Sequence, residues 1–107
     1  MLDLAPGRTI TWTFDDGPMA GVPIEHDLNA DGSITWRIVG GPHNGVSVRE
    51  QRYGAEKIND TVWVLSYRAA SGHTLTAVLN FADGRVMGYG SDSASWESSH
   101  GWFSVVR

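Results

Sequence analysis

The chain has 107 residues, 41% of them hydrophobic, which is long enough for one domain with its own core. Eight basic against twelve acidic side chains give a formal charge of -4, the wrong sign for binding along a nucleic acid backbone. Cysteine is absent, which excludes disulfides, thiolate nucleophiles and cysteine-zinc sites.

The start of the chain contains no apolar run of the length that a secretory signal or a membrane span requires. We therefore expect a cytoplasmic protein that has neither a membrane nor a nucleic acid as its partner. No internal repeat, linker or charge block divides the sequence. We expect residues 1–107 to form a single domain.

The predicted elements are all strands. Residues 9–14 alternate threonine with large apolar side chains, which is the period-two pattern of a half-buried strand. Comparable runs predict seven further strands, at residues 22–28, 33–39, 46–53, 61–69, 74–81, 85–90 and 102–106. Between them, residues 53–60 alone tolerate a helical turn, and the serine-rich residues 91–99 are expected to form a loop.

Turn signals separate most of these strands. Asp-Gly pairs occur at residues 16–17, 31–32 and 83–84, with Asn-Gly at 44–45 and Ser-Gly at 71–72. The glycine of such a pair supplies the positive φ angle that a tight turn needs. About eight short antiparallel strands without a helix predict an all-β, up-and-down barrel, in which the last strand pairs with the first and removes the exposed edges.

Five tryptophans are many for a chain of this length, and two interpretations of them stay open. They are Trp12, Trp36, Trp63, Trp96 and Trp102. Aromatic side chains dominate core packing, so they can simply fill the barrel. They can also line a cavity together with a few polar groups, since an eight-stranded barrel has room for one small ligand.

Two polar residues bear on this question. His26 shares a strand face with Ile24 and Leu28, which predicts an inward imidazole, either a satisfied core histidine or a group for ligand contact or proton transfer. Arg37 alternates with Trp36 and by that pattern points outward. The arginines in the middle of the chain form no basic run because Glu50 and Glu56 are interleaved with them, and we interpret most of these arginines as part of a solvated sheet face; they are Arg37, Arg49, Arg52 and Arg68.

Metal and phosphate chemistry are not indicated. The histidines show no paired spacing of the kind that metal sites use; they are His26, His43, His73 and His100. The glycine-rich residues 40–45 have neither the lysine nor the helix start of a phosphate-binding loop. We expect no metal and no cofactor.

Several short motifs resemble those of a known family. Thr-Phe-Asp-Asp-Gly at residues 13–17, Asp-Gly-Ser-Ile-Thr-Trp-Arg-Ile-Val-Gly-Gly at 31–41 and Thr-Val-Trp-Val-Leu-Ser-Tyr at 61–67 come in an order and spacing that resemble the MoaF-like family. Residues 53–57 and 80–88 extend the resemblance. It implies a lipocalin-like (calycin) barrel and no defined biochemical role.

The same stretch is more distantly similar to the bacterial phenolic acid decarboxylases, calycin dimers that act without a cofactor. This resemblance implies that Arg37 matches an inward arginine and that Asp60 falls near a catalytic glutamate, so that Arg37 points into the barrel against the alternation pattern. An arginine there would clamp a carboxylate, and a nearby acid would exchange a proton with the substrate. Trp12 and Phe14 stand where that family has two tyrosines, so the fold carries over better than the decarboxylation.

Three hypotheses follow. The first is a module that binds a small aromatic or apolar molecule with an acid or carbonyl group; its ligand-binding residues would be Trp12, Phe14, His26, Arg37, Trp63 and Tyr67. The second is a cofactor-independent lyase or isomerase, with His26 or Asp60 as the acid-base group and Arg37 as an electrostatic clamp. The third is a filled barrel that acts through its surface. We also expect a homodimer, because residues 33–39 and 61–69 carry apolar side chains on both faces.

Overall fold

The computed structural model of the chain describes residues 3–107, so the first two residues of the predicted domain lie outside the described part. Within residues 3–107 the regular structure consists of nine strands, and no helix forms. The strands are β1 (Thr9–Phe14), β2 (Ile24–Leu28), β3 (Ile34–Ile38), β4 (Ser47–Glu50), β5 (Tyr53–Lys57), β6 (Val62–Arg68), β7 (Thr74–Asn80), β8 (Arg85–Ser91) and β9 (Trp96–Val105).

The strands form one antiparallel sheet in the order β4-β3-β2-β1-β9-β8-β7-β6-β5. The last strand pairs with the first, with Ile10 opposite Val105 and Phe14 opposite Gly101. The sheet curls into a nearly closed barrel, which confirms the prediction of a small all-β, up-and-down barrel.

The count of nine strands, against eight predicted, has a simple origin. In an antiparallel sheet of nine strands, the two strands at the edges run in the same direction, and here these edge strands are β4 and β5. Because β4 leads into β5 through residues 51–52 alone, the two are successive halves of one bent strand, the first bonded to β3 and the second to β6. This covalent link joins the two edges of the sheet, and we call it the seam.

A helical turn that the sequence tolerated does not form, and one predicted loop was wrong. Residues 53–57 form strand β5 instead of a helical turn, because their backbone pairs with β6 from Tyr53 opposite Tyr67 to Lys57 opposite Trp63. The serine-rich residues 96–99 belong to β9 instead of a loop, because they pair with β8. In both places pairing with a neighbouring strand overrides a weak local preference.

The predicted turns are confirmed in their backbone conformation. Positive φ occurs at the glycine of every turn pair identified in the sequence, namely Gly17, Gly32, Gly45, Gly72 and Gly84. In the turn between β2 and β3, Gly32 has φ of 91°, and the Asp31 carboxylate accepts hydrogen bonds from the backbone N–H and the hydroxyl of Ser33. The side chain before the glycine thus fixes the turn that glycine permits.

The two ends of the barrel differ in their filling. At one end lie the connections 29–33, 58–61 and 81–84, and here buried apolar side chains fill the interior, among them Leu4, Ile10, Leu28, Ile34 and Leu79. At the other end, which we call the mouth, lie the connections 15–23, 39–46, 69–73 and 92–95. The interior is incompletely filled at the mouth.

Candidate functional site: a cavity at the mouth of the barrel

Small residues on two strands create space beneath the mouth. The inner face of β8 carries Gly88 and Gly90, and that of β9 carries Ser99 and Gly101, where other strands place large side chains. Beside Gly88, Gly90 and Ser99 lies an outer cavity of about 470 Å³. The space therefore follows from side-chain size at positions that the alternation of strands turns inward.

A second, inner cavity of about 290 Å³ adjoins the first and shares with it Phe14, Met19, His73 and Leu75. Its remaining walls are mainly aromatic: Trp12 from β1, Trp36 from β3 and Tyr67 from β6, together with the His26 imidazole from β2. Met19, Ser71 and His73 come from the mouth connections or their margins. Apolar and aromatic walls with a few polar groups are the usual composition of a small-molecule site.

His26 lies at the centre of this arrangement, as its strand pattern predicted. The side chain is completely buried, its ring packs 4.0 Å from the ring of Trp12, and Nε2 lies 3.3 Å from the Tyr67 hydroxyl. Burial lowers the pKa of His26 to about 3. The Arg37 guanidinium also lowers this pKa, whereas the Ile24 backbone oxygen and the Asp27 carboxylate act in the opposite direction. The imidazole is therefore neutral at physiological pH.

Two buried polar atoms beside the cavity have no hydrogen-bond partner among the described residues. They are the indole Nε1 of Trp12 and the Nδ1 of His26. Most buried polar groups in folded proteins are paired, so each unpaired one calls for a physical explanation. Both residues line the inner cavity.

Tyr67 completes the polar floor. Burial raises the pKa of Tyr67 well above its usual value, and the neighbouring Glu50 carboxylate adds to this shift. The hydroxyl therefore stays protonated and can either donate or accept a hydrogen bond.

Glu50 is a buried acidic residue beside the cavity that the sequence patterns did not single out. The structure buries it to 3% exposure, where its carboxylate accepts hydrogen bonds from the Trp36 indole N–H (3.0 Å) and from the backbone N–H of Ala70 (3.1 Å). Alternation along β4, with Ser47 and Arg49 exposed and Val48 partly buried, would have turned Glu50 inward.

Arg37 lies outside the barrel, so the inward orientation implied by the decarboxylase resemblance is wrong. Its Nε donates to Glu25 (2.9 Å) and its Nη2 to Asp27 (2.6 Å), both on the outer face of β2. These bonds, that to Asp27 first, raise the pKa of Arg37 above its usual value. Two carboxylates on the adjacent strand hold the guanidinium outward, as the alternation pattern predicted.

Asp60 and Trp63 lie toward the end opposite the mouth. The Asp60 side chain is fully exposed in the connection 58–61, 3.6 Å from Lys57 Nζ. Trp63 shares the inner face of β6 with Tyr67 but sits nearer the filled end, where it packs against the core instead of lining either cavity. Of the predicted acid-base and clamp residues, only His26 reaches the cavity; of the predicted wall residues, Trp12, Phe14 and Tyr67 do.

Within residues 3–107, histidine and carboxylate side chains nowhere form a group of three that could hold a metal ion. The same residues include no helix of a length and hydropathy suited to crossing a membrane.

Comparison with known proteins supports the fold. No protein-family model matches the chain, and no curated protein matches it. A crystal structure from Burkholderia vietnamiensis, provisionally described as a beta-lactamase, has a TM-score of 0.77 and 17% sequence identity over 94% of each chain. At this level of identity the similarity shows a shared barrel fold and nothing about chemistry.

Proposed function

We propose that the protein binds a small, uncharged aromatic or apolar molecule, with a carbonyl or similar acceptor group, in the cavity at the mouth. The observation that carries this proposal is an aromatic cavity whose lining includes Trp12 and His26, two residues that each keep a buried polar atom, Nε1 and Nδ1, without a hydrogen-bond partner. The cytoplasmic location and the MoaF-like, lipocalin-like relationship expected from the sequence form part of the same proposal.

The acceptor group follows from the chemistry of the floor. The Trp12 indole N–H can only donate, and leaving a buried donor unpaired costs roughly 1–3 kcal/mol. A ligand acceptor would remove that cost. Between the two groups expected from the sequence, an acid and a carbonyl, the carbonyl fits better because Arg37, the expected partner of the acid, lies on the outer face.

An isomerase is the second candidate, on the strength of one contact. His26 and Tyr67 form a buried pair with 3.3 Å between Nε2 and the hydroxyl oxygen, which is suited to passing a proton to or from a bound carbonyl compound. The lyase alternative has less support, because Arg37 and Asp60 both lie outside the cavity.

The test is calorimetric titration with aromatic aldehydes, ketones and amides of increasing size. We expect saturable binding to the wild type and a loss of affinity of about tenfold or more in Leu75→Phe, since Leu75 lines both cavities and a larger ring there would take up space where they meet. Met87→Phe is the matched control, because it enlarges an apolar side chain on the outer face. Equal binding to all three proteins would refute an internal site.

The isomerase candidate is tested in the same samples. Chromatography of the recovered compounds would reveal an altered product with the wild type and none with Tyr67→Phe. Unaltered compounds throughout would leave binding as the function and dismiss the isomerase.

A further inference from the structure

We propose that Glu50 is a specificity-determining residue that excludes anionic ligands from the cavity, an inference that rests on the proposed function. Glu50 would act through its negative charge, from a position next to the cavity wall, where it accepts hydrogen bonds from the Trp36 indole and the Ala70 amide.

The charge of Glu50 has no cationic partner among the described residues. Its hydrogen bonds come from a neutral indole and a backbone amide, one to each carboxylate oxygen. The nearest arginine along the chain, Arg49, points outward on β4 and pairs with Asp31. The guanidinium of Arg37 is already held by Glu25 and Asp27.

The carboxylate stands directly behind the inner cavity. Trp36, whose indole it holds, is part of the wall, and Ala70 lies between Ala69 and Ser71, which both line the mouth. The charge reaches the cavity floor, because it contributes to the raised pKa of Tyr67. Because Glu50 is buried, water screens its charge less than it would screen an exposed carboxylate.

The cavity linings contain little to offset this charge. The one partly exposed histidine among them, His73, lies 3.7 Å from the carboxylate of Asp92, which would balance a positive charge there. Neither cavity is lined by lysine or arginine, His26 is neutral, and the outer cavity adds the acidic Glu97. An anion entering this site would lose its hydration and meet a like charge, whereas a neutral molecule of the same shape would not.

The test compares a matched acid and amide, 2-naphthoate and 2-naphthamide, by calorimetry. We expect the wild type to prefer the amide, and Glu50→Gln to raise the acid-to-amide affinity ratio about tenfold, because the substitution keeps the shape and an acceptor oxygen while it removes the charge. Glu56→Gln, which removes the same charge from the exposed face of β5, should leave the ratio as in the wild type. An unchanged ratio in folded Glu50→Gln would overturn the proposal.

A second measurement needs only the wild type and holds even if Glu50→Gln fails to fold. Burial alone penalises cations and anions alike, whereas a buried negative charge penalises the anion selectively. We expect 2-naphthylmethylammonium to bind at least about tenfold more tightly than 2-naphthoate. Equal rejection of both ions would refute the role of Glu50 and leave the proposed function standing, whereas failure of every probe to bind, the amide included, would refute the proposed function itself.

Discussion

At the scale of single residues, the orientation of three charged or titratable side chains decides what the barrel interior can do. His26 points inward and Arg37 outward, as strand alternation predicted, and Glu50 follows the same rule. The alternation pattern is sufficient for all three, whereas the distant resemblance that implied an inward Arg37 was wrong on this point. The Glu50 carboxylate can be buried because the Trp36 indole and the Ala70 amide donate hydrogen bonds to it. Both donors lie outside β4, so the sequence of β4 alone does not predict them.

The buried imidazole makes stability depend on pH. The pKa of His26 falls from 6.5 in the unfolded chain to about 3 in the folded one, so between these values the unfolded state binds the extra proton. We expect its contribution to the free energy of unfolding to be intact above pH 6.5 and to fall by roughly 1.4 kcal/mol per pH unit below it, until pH 3.

Urea denaturation at pH 7, 6 and 5.5 measures this dependence above the range in which most carboxylates titrate. His26→Leu removes the titrating group and should flatten the profile relative to the wild type. Parallel profiles for the two proteins would show that His26 is not the source of the pH dependence.

At the scale of elements, β8 and β9 show why the cavity was not predicted. Their small inner residues, mainly glycine and serine, have a low preference for strands, and residues 91–99 were expected to form a loop. These segments form strands because they pair with neighbouring strands. Their small inward side chains then leave the cavity space unfilled. The positions of most strands and all the glycine turns followed from local pattern, whereas the seam and the start of β9 depend on contacts between distant segments.

Gly101 illustrates a different use of a small residue, the close approach of β1. A Cβ at this position would lie 2.0 Å from the Thr13 carbonyl oxygen and 2.7 Å from Phe14 Cα, both backbone atoms that cannot move aside cheaply. We expect Gly101→Ala to lower the free energy of unfolding by about 2 kcal/mol or more.

Gly88→Ala is the control, because its Cβ would meet its neighbours at 3.4 Å or more, an ordinary contact distance. Thermal and urea unfolding of the two variants should separate them clearly. Equal stability of both would mean that β1 and β9 can shift apart without cost.

At the scale of the whole molecule, the outer surface carries apolar side chains on the sheet face of β8 and β9. Met87, Tyr89, Trp96 and Trp102 are between 47% and 71% exposed, and Tyr89 stacks on Trp96 with 5.2 Å between ring centroids. The outer face of β3, where the sequence suggested an interface, instead bears the ion-paired Arg37. Exposed apolar patches of this kind commonly mark association surfaces.

The expected homodimer therefore has a more suitable surface than the one first predicted. We expect light scattering to give about twice the chain mass for the wild type and a shift toward the monomer for Trp96→Ser. A wild-type mass near 11.6 kDa at all concentrations would contradict self-association.

The seam makes closure of the barrel depend on a covalent connection between β4 and β5. Every strand pair in the sheet is hydrogen-bonded except β4 with β5, which are joined by the chain itself through residues 51–52. A single proteolytic cut there would leave all eight strand pairings intact, yet it would convert a closed wall into an open ribbon with two free margins. The shared core and local links, such as those from Glu50 to Ala70 and from Tyr53 to Gly32, would then have to keep the ribbon rolled.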